Sequence, residues 1–150
     1  RRNALRARVA EGSGVFLKGR RPRVSSSLAR SPLLGCWEVT ISTPGHPEWT
    51  TEFHGLIAMT SDGISISSDA TDISIGLGSW QAGPNNTFSL NRRSNFIDPT
   101  GVVSVLHTVH HGSLTSPTTF KAIGVGYMYE PDGTTLMYEI PNVHLVGKRY

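Results

Sequence analysis

The chain has a single cysteine, Cys36, in 150 residues, which excludes an internal disulfide and fits a reducing, cytoplasmic setting. Charge is scarce as well, at 17% Asp, Glu, Lys and Arg. No run reaches the roughly 18 apolar residues a membrane span needs, so no membrane partner is expected. Beyond the first 31 residues no stretch keeps a long 3.6-residue period, which argues against a helical fold. Catalytic motifs are missing too. No Ser-His-Asp signature with a nucleophile elbow occurs. Gly124-Val125-Gly126 lacks the third glycine and the following helix of a dinucleotide site, and no Cys or His has zinc spacing. Neither a cofactor nor a metal is expected.

Turn formers are abundant, with 16 glycines and 9 prolines. That balance suits an all-β protein, and the length suits one domain with one core.

The net charge of +3 divides unevenly. Residues 1–31 hold nine of the 14 basic residues and one acid, Glu11, a balance of +8. Residues 32–150 hold five bases and ten acids, a balance of −5. The chain therefore reads as a basic N-terminal arm, 1–31, followed by an acidic body, 32–150. A targeting peptide has such a composition. A nucleic-acid arm has the charge but would carry several stacking aromatics, and this segment has one, Phe16. The third reading is an arm docked on the body as a lid or bridging two subunits of a homo-oligomer. Leu5 and Val9 share a helical face, Val15-Phe16-Leu17 suits a short strand or plug, and the opposite charges favour docking.

From residue 33 short β-rich runs alternate with turn signals. Strands are predicted over Leu33–Ser42, Glu52–Thr60 and Ile64–Ser68, the last alternating with period two as a half-buried strand does. A loop rich in Asp, Thr and Gly leads to Gly78–Gln81, and Thr87–Arg93 follows. Val102–His111, Thr118–Tyr129 and a last strand from Thr134 to Val146 complete the set. Asp98-Pro99-Thr100-Gly101 and Glu130-Pro131-Asp132-Gly133 are one turn design used twice, proline setting a negative φ and glycine accepting a positive one. Eight strands with short connections predict an antiparallel up-and-down barrel, whose closure removes exposed edges. At eight strands the interior is either filled or holds one small ligand. An open β-sandwich is the alternative architecture.

Leu34-Gly35-Cys36-Trp37 resembles the Gly-x-Trp that opens the first strand of lipocalins and avidins. The resemblance implies that Trp37 closes one end of the barrel, beneath a basic side chain from the far end of the chain. Arg149 is placed to be that side chain, stacking on Trp37. The secreted lipocalins' Thr-Asp-Tyr box and disulfide are missing, so bacterial cytoplasmic lipocalin-like proteins are the nearer comparison.

Candidate cavity residues follow from alternation. His107 and His111 share one face of their strand and His110 the other. His107 and His111 stand roughly 13 Å apart, too far to share a metal, and His107 among valines is the candidate for the cavity. Trp80, Tyr127 and Tyr138 each join a flat apolar surface to one hydrogen-bonding atom, which suits a polycyclic or polyketide-like ligand. Ordinary core packing is the competing role for all three. Met59 and Met128 read as filler. If Leu136, Tyr138 and Ile140 point inward, His144 does too and Glu139 faces solvent, unless Pro141 marks a bulge that flips the register. Cys36 reads as an inert packed thiol.

Two functions fit. The first is binding of a small hydrophobic molecule, polyketide- or terpenoid-like, by Trp80, His107, Tyr127, Tyr138, Met59 and His144. The second is a cofactor-free cyclase or isomerase that folds such a molecule, which small barrels of this size can be. Such catalysis works by restricting the substrate and by a few polar contacts, and leaves no motif. A lid would serve it. A filled barrel that binds a partner is the third reading.

Overall fold

A computed structural model of the chain describes residues 28–45, 52–69, 72–98 and 100–150. Most of the basic arm, residues 1–27, lies outside the described residues. Its last residues, Leu28–Arg30, form one 3₁₀ turn. No helix among the described residues is long and apolar enough to cross a membrane.

Eight strands follow one another: β1 (Gly35–Ser42), β2 (Phe53–Met59), β3 (Ile64–Asp69), β4 (Asp72–Ala82), β5 (Thr87–Ile97), β6 (Val103–Ser116), β7 (Thr119–Tyr129) and β8 (Leu136–Arg149). Each pairs antiparallel with the next, and β8 returns to β1, with Trp37 opposite Arg149. The sheet closes into an up-and-down barrel, an architecture consistent with a calycin-like fold. Closure leaves no free sheet edge.

The repeated turns behave as their residues require. Gly101 and Gly133 have φ of 85° and 70°. The Asp98 carboxylate accepts hydrogen bonds from the Thr100 and Val102 amides, and Asp132 does so from those of Thr134 and Thr135.

Three differences from the sequence reading shape the interior. The stretch expected as a loop before Gly78 is strand. A Cβ at Gly76 would strike Ser67 Oγ, and one at Gly78 would lie 2.8 Å from Arg92 Cα. Its glycines thus serve close strand packing instead of marking a loop. On β3 the buried residues are Ser65 and Ser67, while Ile64 and Ile66 face outward. Small inward side chains here leave space for large ones elsewhere in the barrel. On β8, Asn142 adopts φ 58° and the pairing with β7 shifts register there. Buried Ile140 is therefore followed by buried Val143 and Leu145. The bulge beside Pro141 flips the strand's inward face.

One end of the barrel is solid. Trp37, Phe88, Phe120, Trp80, Leu90, Met59 and Leu145 form the buried core there, with Leu33 and half-buried Leu28 added from outside the sheet. The Phe120 ring meets Trp37 and Phe88 edge-on, at 5.0 and 5.2 Å between centroids. Gly147 makes this possible, because a Cβ there would overlap the Phe120 ring. Arg149 lies over Trp37, 4.4 Å from the ring centroid, and donates to the Leu34 and Pro32 carbonyls. Trp37 Nε1 donates to Leu33 O at 2.9 Å. With Trp37 inward, Cys36 must point outward, and it is exposed instead of packed.

Candidate functional site

From the upper edge of this core, two rows of inward side chains cross the sheet. In the lower row Trp80, Leu90, His110, Gly124 and Val143 lie opposite one another on β4 through β8. In the upper row the order is Gly78, Arg92, Thr108, Gly126 and Ile140. Each large polar side chain thus has a glycine beside it. Arg92 stands next to Gly78, and His110 next to Gly124, where a Cβ would come within 2.7 Å of His110 Cδ2. Glycine at these positions lets an imidazole and a guanidinium enter a barrel of only eight strands.

The polar members of the two rows are deeply buried. Arg92 is 7% exposed, Thr108 5% and His110 0%. Arg92 Nε, Thr108 Oγ1 and both ring nitrogens of His110 find no hydrogen-bond partner among the described residues. Buried groups of this kind are rare, because each costs about 1–3 kcal/mol when left unmade.

These side chains form the floor of a half-enclosed cavity of about 70 Å³. Its walls are apolar, from Ile41, Phe53, Phe96, Leu106, Ile140 and Val143, with Asp69, Thr43 and Ser94 as further polar members. Gly126 belongs to the lining, and a Cβ there would meet its nearest atom at an ordinary 3.5 Å. The missing side chain at 126 is part of the open space.

Electrostatics sets the character of the floor. Burial lowers the Arg92 pKa and the Asp69 charge partly restores it. Burial, then the Arg92 and His111 charges, push His110 down to about 3. At neutral pH His110 is a neutral imidazole with one donor and one acceptor.

The residues singled out from the sequence lie elsewhere. Trp80 and Met59 are buried together in the solid core, and Trp80 Nε1 donates to Thr60 O at 2.9 Å. His107 and Tyr127 pair on the outer face, rings 5.9 Å apart, with His107 Nε2 2.9 Å from Asn91 Oδ1. His144 is exposed, because the β8 bulge reverses its side. Tyr138, opposite Met128, is 42% exposed and is not among the cavity's lining residues. Sequence reasoning missed Arg92, Thr108 and His110. Valines alternate with His107 on β6, so apolar weight favoured the odd-numbered face. The available signal was Gly124 and Gly126, two glycines on one strand face, which leave room there for a large neighbour at 124 and for open space at 126.

Among the described residues no group of three His, Cys, Asp or Glu side chains could hold a metal ion. No family model matches the chain, and neither a curated protein nor a solved structure matches it significantly.

Proposed function

We propose that this barrel binds a small, mainly apolar molecule at the end opposite Trp37, in the manner of a lipocalin-like carrier in the cytoplasm. The observation that carries the reading is the half-enclosed cavity, apolar in its walls and floored by buried polar groups. Apolar walls with a few convergent polar groups are the common design of small-molecule sites. At about 70 Å³ the cavity is smaller than the roughly 300–1,000 Å³ of drug-sized sites. A terpenoid- or polyketide-like ligand would thus insert one end and leave the rest in the mouth near Phe53 and Phe96.

Binding is favoured over cyclisation or isomerisation by proton transfer. A catalytic acid or base works best with a pKa near the working pH, and His110 is held at about 3.

The test is calorimetric titration of the full chain with 1-hexanol and 1-octanol, neutral probes of the apolar walls. Saturable one-site binding with a negative heat-capacity change is expected. Gly126→Val, which fills the cavity, should weaken it at least about tenfold. Absence of binding to the wild-type chain would contradict the reading.

A further inference from the structure

We propose that the floor of the cavity is a carboxylate site, so that the ligand is an amphipathic acid inserted with its charged end against Arg92, Thr108 and His110. This inference rests on the binding reading above and names the class of ligand.

Geometry carries it. Arg92 and Thr108 are directly opposite on β5 and β6, and His110 lies two residues along from Thr108 on the same inward face. Side chains so related have Cβ atoms roughly 5–7 Å apart, within reach of one small group. All three line the same cavity. Together they present the Arg92 Nε–H, the Thr108 hydroxyl and one His110 ring N–H, none used among the described residues. A set of donors around a guanidinium calls for an acceptor with more than one oxygen and a negative charge, and arginine's fork matches a carboxylate bidentately.

Charge points the same way. Asp69 attracts Arg92, yet burial outweighs that attraction and the guanidinium's pKa stays below its ordinary value. A bound carboxylate would supply further counter-charge beside the unpartnered Nε. The neutral His110 adds a hydrogen bond without a second positive charge. Behind the head, Ile140, Leu106 and Phe96 offer only apolar surface, which selects a hydrocarbon chain or ring. A polar metabolite such as a sugar acid would leave its hydroxyls unpaired against these walls.

The experiment compares octanoate, 1-octanol and octyl phosphate, each titrated calorimetrically into the full chain at neutral pH. Octanoate is expected to bind at least about tenfold tighter than 1-octanol, the scale of a charge-assisted hydrogen-bond set. Arg92→Met should bring octanoate to the level of 1-octanol, and Arg92→Lys should recover only part of the difference. Equal binding of octanoate and 1-octanol by the wild-type chain would overturn the carboxylate site while leaving the apolar-ligand reading intact. Tighter binding of octyl phosphate than octanoate would overturn the choice of carboxylate. Failure of all three to bind would overturn this inference and the reading beneath it together. Because Arg92 variants could misfold, a measurement on the wild type stands beside them. The carboxyl ¹³C signal of bound [1-¹³C]octanoate should stay that of the ionised form to lower pH than in free solution. Protonation at or above the free value would contradict the site.

Discussion

The Arg149 guanidinium sits 4.4 Å from the centre of the Trp37 ring and is tied to the Leu34 carbonyl at 2.9 Å. One side chain near the end of the chain thus clamps the first strand and the segment before it. Arg149→Met should destabilise the barrel by about 1–3 kcal/mol, losing a cation–π contact and hydrogen bonds from a charged donor. Lysine should not restore it, because an ammonium cannot both stack and fork. Urea denaturation measures both.

Two glycines on one strand should respond in opposite ways. Gly124→Ala puts a methyl into the Val109 carbonyl and 2.7 Å from His110 Cδ2. It should cost about 3 kcal/mol or more, the range of overpacked cores. Gly126→Ala meets nothing nearer than 3.5 Å and should change stability by less than about 1 kcal/mol. Thermal melts of the pair check the contrast.

The unpartnered polar groups of the floor should oppose folding while serving the site. Thr108→Val and His110→Leu each replace a buried polar side chain, unpartnered among the described residues, by an apolar one. Each should be neutral or stabilising by about 1–3 kcal/mol, since no hydrogen bond is lost at the unpartnered atoms. Denaturant midpoints show the sign. A stable Thr108→Val or His110→Leu that binds octanoate more weakly would display the trade between stability and function directly.

His110 also makes stability depend on pH. Its ordinary value is 6.5, and burial, with help from Arg92 and His111, holds it at about 3 in the barrel. Between these values the unfolded chain binds a proton that the folded chain refuses. Its contribution is complete above about pH 6.5 and is lost as the pH falls toward 3, at up to about 1.4 kcal/mol per pH unit. The difference between the unfolding curves of wild type and His110→Leu isolates this group from His107, whose pKa is also lowered. The variant should be flatter across that window.

Much of the architecture was legible because local chemistry decides it. Asp98 and Asp132 with their glycines make turns wherever they stand, and eight β-rich runs between such turns leave closure as the way to remove edges. Trp37 and Arg149 were legible as a pair through the Gly-x-Trp resemblance. The site was not. Alternation sorts β6 into two faces, Ser104-Leu106-Thr108-His110 and Val103-Val105-His107-Val109, but does not say which one lines the barrel. Hydrophobicity favours the second set, yet the interior at that level is polar and the valines are outside. The same inversion occurs on β3, where serines are buried and isoleucines exposed. On β8 one residue, Asn142 at φ 58°, moves His144 from the inside to the outside. Such choices depend on volumes contributed by strands distant in sequence, above all the glycines of β4 and β7.

The central claim is that ligand enters the barrel against the Arg92–Thr108–Gly126 row, and isotope-filtered NOE spectroscopy tests it most directly. With labelled protein and unlabelled 1-octanol, ligand protons should show contacts to Ile140, Leu106 and Phe96, and Gly126→Val should abolish them. Contacts confined to the outer face around His107 and Tyr127, or none at saturating ligand, would contradict the account.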